Sequence, residues 1–119
     1  MARDLRTSTT APDLSGKLRV ILTQLRQQFE ALYGDRLVKL LLFGSQARGD
    51  ARPWSDIDVL AVLKGPVKPS EERARTEVLL GDLSLEHNVV ITSVYMDEEY
   101  FGHYDSAFLR NVRAEGIPV

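Results

Sequence analysis

From Ser15 onward, Leu18, Leu22, Leu25, Phe29 and Leu32 recur at alternating spacings of four and three, with Lys17, Arg19, Gln24, Arg26 and Gln27 on the other faces. Such a period puts one apolar stripe on a helix. Ser15 can accept from an orphan amide of the first turn and Gly34 can stop the last, so the sequence predicts a helix from about Gly16 to Tyr33. Leu37 to Phe43 is a short apolar run between Gly34-Asp35 and Gly44-Ser45, which suits a strand buried on both faces. A polar loop, Gly44 to Ser55, leads into Asp56 to Leu63, whose β-branched residues and initial alternation predict a second strand.

Lys64 to Pro69 has turn chemistry, and Ser70 with Glu71 and Glu72 opens a second helix whose apolar positions are Ala74, Val78, Leu79, Leu83 and Leu85, weakened locally by Gly81. Val89 to Met96 reads as a third strand. Asp97-Glu-Glu starts a helical turn, Ser106 starts a last helix through Glu115, and Gly116 stops it before an extended tail, Ile117 to Val119. The order is α-β-β-α-β-α, an α/β (α+β) fold with a small mixed sheet flanked by helices.

A chain of 119 residues can bury one core, and we expect a single domain over 15–119 behind a flexible leader over 1–14 that contains the Thr7 to Thr10 stretch. Fifteen Lys and Arg against seventeen Asp and Glu argue against a binder of duplex nucleic acid. With no cysteine, a disulfide framework and a thiolate zinc site are excluded, and His87 and His103 make a poor imidazole cluster; hard oxygen ligands remain. No apolar run approaches the length of a membrane span, and there is no secretory h-region, so the expected location is the cytoplasm.

Gly44-Ser45 after a buried strand has two readings. It is a tight turn, or it is a place where a residue without Cβ lets backbone amides approach a phosphate, with the Ser45 hydroxyl as a further donor and Arg48 offsetting charge. Asp56 and Asp58 stand two apart on one face of the predicted strand, with Ile57 on the other. Two crowded carboxylates repel unless a cation lies between them, and Mg²⁺, which takes one or two carboxylates plus phosphate oxygens, suits that role. Alone, Asp-Ile-Asp also reads as a solvated strand edge. Combined, a hairpin from Leu37 to Leu63 brings a phosphate-holding loop beside a metal-holding strand end.

The string Leu42-Phe-Gly-Ser-Gln-Ala-Arg-Gly-Asp-Ala-Arg-Pro-Trp-Ser-Asp-Ile-Asp-Val-Leu60 resembles the signature of the DNA polymerase β-like nucleotidyltransferase superfamily, and within it the minimal nucleotidyltransferases. The match is tight over this loop and strand and looser over the rest, including Asn111 to Val119. The resemblance implies two-metal transfer of a nucleoside monophosphate, AMP from Mg-ATP, to an acceptor hydroxyl. In it, Gly44 and Ser45 hold the β,γ-phosphates, Arg48 lies near the loop, and Asp56 and Asp58 bind the metals and carry catalysis. It implies a partner protein, a helical protein of the HEPN type in a toxin–antitoxin pair, with the chain as antitoxin and a homo- or hetero-oligomer as the assembly. Two other activities fit the same motif: a catalytically degenerate module that neutralises its partner by binding, and an antibiotic-modifying nucleotidyltransferase, which normally has an additional helical domain.

One departure stands out. The superfamily usually carries a third carboxylate on the following strand, and Asn88 to Met96 holds none; Asn88 or Thr92 is expected at that position, with Glu86 the nearest substitute. Trp54 suits either stacking on a base or covering the core's rim. Tyr95, Tyr100, Phe101, Tyr104 and Phe108 are expected mostly in the core, any exposed remainder marking a docking face.

Overall fold

The stripe of the first helix is realised almost as written. The computed structural model describes residues 14–52 and 56–119, and in it α1 spans Gly16–Tyr33. The Ser15 hydroxyl accepts from the Leu18 amide at 3.1 Å, and Gly34 adopts φ 53° at the other end. Leu18, Leu22, Leu25 and Phe29 are buried, joined by Ile21 and Tyr33. Leu32 is not part of the stripe: it is 42% exposed, because Tyr33, four residues after Phe29, keeps the core-facing row and Leu32 is turned about 100° away from it. The leader expected over 1–14 lies outside the described residues except for Leu14, which packs on the core.

After a short turn, Gly34–Arg36, strand β1 (Leu37–Phe43) pairs antiparallel with β2 (Ile57–Leu63). Between them, where the sequence predicts only a polar loop, Ser45–Arg48 closes one helical turn, α2. Asp56 precedes β2 rather than belonging to it. Helix α3 (Pro69–His87) then crosses to β3 (Ile91–Asp97), which runs parallel to β2, and α4 (Glu98–His103) and α5 (Ala107–Glu115) follow. The tail also pairs: β4 (Ile117–Pro118) runs antiparallel to β1, giving the sheet order β3-β2-β1-β4.

Both faces of the sheet are covered. Leu40, Leu42, Ile57, Val59, Ala61 and Leu63 pack with α1 and with Leu80 and Leu83 of α3, while Leu41, Leu60, Val62 and Met96 pack with Leu109 and Val112 of α5. That explains why β2 reads as a near-continuous apolar run: Val59 to Leu63 have no exposed surface.

In α3 the apolar pattern misleads. Val78 and Leu85, expected in the core, are 74% and 84% exposed, and Ala74 is exposed as well, while Glu72, Thr76, Leu80 and Leu83 are buried. The helix also starts at Pro69, not Ser70, with proline in the first turn where it loses no hydrogen bond. Two polar residues hold the inward face because each has partners. The Glu72 carboxylate accepts from the Tyr33 hydroxyl at 2.8 Å and from Arg75 at 2.7 Å, with Arg36 at 3.6 Å. Thr76 bonds to the Glu72 carbonyl at 2.9 Å and to the Tyr95 hydroxyl.

This cluster sets a pH dependence. Burial pushes the Tyr33 phenol well above its ordinary value, and the hydrogen bond to the Glu72 carboxylate and its negative charge push the same way. Burial also raises Tyr95, against the opposing effect of its hydrogen bonds to Ser93 and Thr76. A phenol with a raised folded-state pKa stabilises the fold fully below about pH 10, where the unfolded chain keeps its proton too, and loses that contribution as pH rises further. We therefore expect the unfolding free energy to fall above pH 10 by up to about 1.4 kcal/mol per pH unit per tyrosine. Urea titrations at pH 9 and pH 11 should show this fall in wild type and a shallower one in a Tyr33→Phe/Tyr95→Phe double variant; equal falls would refute the assignment.

Candidate functional site

At the end of β1 the chain must turn sharply. Gly44 does so at φ 76°, ψ −157°, a region essentially closed to residues with a side chain. The turn is closed by its own backbone: the Ala47 and Arg48 amides donate to the Gly44 carbonyl at 3.1 Å, and the Gly49 and Asp50 amides to the Ser45 carbonyl at 3.0 and 3.2 Å. Gly49, at φ 82° and ψ 12°, ends it. Ala47 is buried beneath, so the turn is anchored to the core while Ser45 remains half-buried.

Register places the carboxylates. Asp58 is paired with Phe43 of β1 on one side and with Thr92 of β3 on the other. Its neighbour Ile57 is buried, and the Ile57 amide donates to the Val90 carbonyl at 2.9 Å, which locks the start of the strand. Asp58, half-buried, lies on the sheet face covered by α5. A Cβ built on Gly44 would collide with the Asp58 carboxylate, and the Thr92 hydroxyl donates to Asp58 Oδ1. Asp56, one residue outside the strand, is exposed. Gly44 and Asp58 are therefore brought into contact, with Thr92 completing the group.

Of the two residues expected at the third-strand position, Thr92 is the one that lies opposite Asp58 in the register. Asn88 instead ends α3 in the left-handed region, φ 54° and ψ 51°, its amide donating to the Ser84 carbonyl. Glu86 engages Gln24 and His87. Asp97, the carboxylate that β3 does contain, pairs with Leu63 at the opposite end of the parallel register, five residues and about 16 Å along the strand from Thr92. Among the described residues no three His, Cys, Asp or Glu side chains converge.

Arg48 is 44% exposed and reaches two carboxylates, Asp50 at 3.3 Å and Glu115 at 3.9 Å. Trp54 and Ser55 lie outside the described residues. Of the five C-terminal aromatics expected mostly in the core, Tyr95 is buried and Phe101 half-buried, but Tyr100, Tyr104 and Phe108 are 44%, 51% and 40% exposed. Tyr100 and Tyr104 stack on each other with ring centroids 4.5 Å apart. Phe101 is held by cations, with Lys39 and Arg113 at 5.7 and 5.5 Å from its ring centre. Phe108 stands edge-on to Phe43 at 5.3 Å, next to Gly44. Sequence reasoning did not single out Phe43, Phe108 or Asn111 as site neighbours; the fixed i, i+3 spacing of the last two on α5 was the available signal.

A family model described as a nucleotidyltransferase domain matches residues 22–111. Two relatives from Methanocaldococcus jannaschii carry the name of candidate protein adenylyltransferases. One is 40% identical over 85 residues, 71% of this chain and 79% of the relative; the other is 38% identical over 69 residues, 58% of this chain and 45% of the relative. The chain thus spans less than half the length of the second of these. Among solved structures, a toxin–antitoxin with AMP-PNP superposes with a TM-score of 0.59 at 16% identity, covering 81% of this chain and 69% of that one. A candidate nucleotidyltransferase from Sulfolobus solfataricus gives 0.57 at 19% identity, covering 86% and 80%. The toxin–antitoxin MntA-HpeT gives 0.52 at 19% identity, covering 90% and 72%. These superpositions show a shared fold.

Proposed function

The chain belongs to the nucleotidyltransferase domain family, and on that premise we propose that it transfers AMP from Mg-ATP to a hydroxyl of a partner protein. The observation that carries this reading is the contact between the Gly44 turn and the Asp58 carboxylate, steadied by Thr92. That contact supports the reading because the reaction needs a glycine turn for phosphate and a carboxylate for metal close together.

The residues fit a divalent cation. Asp56 and Asp58 supply two hard oxygen ligands, the Thr92 hydroxyl orients one of them, and the exposed side of Asp56 leaves room for water and phosphate oxygens. When bound, Mg²⁺ would neutralise charge on the phosphates and on the departing oxygen. Gly44 and Ser45 hold the β,γ-phosphates, with the Ser45 hydroxyl as a donor. The acceptor oxygen forms a bond to the α-phosphorus, the bond from that phosphorus to pyrophosphate breaks, and the acceptor proton passes to solvent because Thr92 cannot take it near pH 7. Arg48, paired with Asp50 and Glu115, acts as a wall of the loop; a phosphate would have to compete for it.

The partner in this reading is a helical HEPN-type protein, and the chain is the antitoxin of the pair, working in the cytoplasm where Mg-ATP is available. Two solved neighbours are toxin–antitoxin structures and one contains AMP-PNP, which supports a nucleotide and a protein partner. A second reading is favoured by Thr92 itself: with a neutral residue in the third-ligand position, the domain neutralises its partner by binding alone. Incubation with Mg²⁺, α-labelled ATP and the product of the neighbouring reading frame separates the two. The enzyme reading expects label on the partner from wild type and none from an Asp56→Asn/Asp58→Asn variant; a partner left unlabelled by wild type would defeat it.

A further inference from the structure

The loop and carboxylates account for phosphates and metal but leave the base of the nucleotide unplaced. Beside Gly44 the structure has a cavity of about 230 Å³, lined by Phe43, Gly44, Arg48, Phe108, Asn111 and Glu115, with Val112 at its base. It is smaller than the roughly 300–1,000 Å³ of a site for a whole drug-sized ligand, and so suits one flat ring system rather than an entire nucleotide.

Three observations describe what such a ring would meet. Phe108 is the exposed aromatic of α5, although Leu109 and Val112 of the same helix are buried, and its ring is set edge-on to Phe43. Asn111 stands three residues on, exposed on the same helical face, and its amide makes no hydrogen bond with the described residues, leaving an adjoining donor and acceptor available. Arg48 and Glu115, 3.9 Å apart, join the phosphate turn to the end of α5 and close one side. Phe43 is the register partner of Asp58, so the cavity and the carboxylate share one sheet end and one face.

We propose that this cavity is the base subsite: the adenine of ATP lies against Phe43 and Phe108 and presents a donor and an acceptor to the Asn111 amide. The inference rests on the nucleotidyl-transfer reading above. Aromatic stacking on a base is worth enough to change affinity about tenfold, and side-chain amides pair with the two polar atoms on an edge of adenine. The cavity thereby gives this domain a nucleoside-recognition surface of its own.

The test compares two probes by calorimetry, Mg-ATP and Mg-tripolyphosphate, on wild type, Phe108→Ala, Asn111→Ala and Asp58→Asn. The expected result is that Phe108→Ala and Asn111→Ala each weaken Mg-ATP, the former about tenfold, and leave Mg-tripolyphosphate unchanged, while Asp58→Asn weakens both. Asn111 is exposed, so its variant stays informative if Phe108→Ala unfolds. Should both α5 variants bind Mg-ATP as wild type does, or lose tripolyphosphate equally, the base subsite is wrong and the phosphate site stands. Should wild type bind neither probe, the transfer reading fails and the subsite with it.

Discussion

Replacing Gly44 with alanine is expected to destabilise the fold by about 1–3 kcal/mol and to abolish Mg-nucleotide binding. Two costs act at once. The backbone at φ 76°, ψ −157° lies in a region essentially reserved for glycine, and the added methyl would occupy the place of the Asp58 carboxylate. Either the turn opens or Asp58 swings away from Thr92, and both outcomes dismantle the contact between the Gly44 turn and Asp58 on which the proposed nucleotide site rests. Gly81→Ala is the control: that glycine sits inside α3 with nothing within 4 Å of a built Cβ, so alanine should stabilise by about 0.5–1 kcal/mol. Urea unfolding of both variants checks the prediction. A Gly44→Ala protein as stable as wild type and still binding Mg-ATP would show that the turn is ordinary.

Thr92→Asp is expected to raise Mg²⁺ affinity about tenfold or more, because ligand charge governs the affinity of an oxygen site. Thr92 is exposed and opposite Asp58 in the parallel register, so an aspartate there fits without repacking. Without metal the new pair of carboxylates repels and the hydrogen bond from the Thr92 hydroxyl is lost, so the variant should melt below wild type. With saturating Mg²⁺ the order should reverse, a sign change that thermal unfolding with and without EDTA reads directly. A variant whose melting temperature ignores Mg²⁺ would remove Thr92 from the metal's surroundings.

The placement of the candidate residues was legible in the sequence where structure is local. Gly44, Ser45, Asp56 and Asp58 stand within one hairpin, and its register follows from two apolar runs, so their proximity needed only strand pairing. The bounds of α1 were legible for the same reason, since Ser15 and Gly34 act on their own neighbours. Position 92 could be narrowed only to a choice between Asn88 and Thr92, because the register of β3 against β2 depends on where α3 ends, and Asn88 ends it. The buried face of helix α3 is not legible from hydrophobicity alone, because Glu72 and Thr76 find Tyr33 and Tyr95 from other elements and Glu72 also finds Arg75 one turn along. The short helical turn at Ser45–Arg48 carries no periodicity long enough to see, and the pairing of Ile117–Pro118 with β1 is a long-range event.

In the proposed function, Asp58 and the Gly44 turn together hold a divalent cation and a triphosphate. Calorimetric titration of Mg-ATP into wild type and Asp58→Asn, each repeated with EDTA, measures it most directly. Saturable heat is expected in wild type and should disappear with chelator and in the variant. Binding that is unchanged by EDTA, or retained in full by Asp58→Asn, would contradict it.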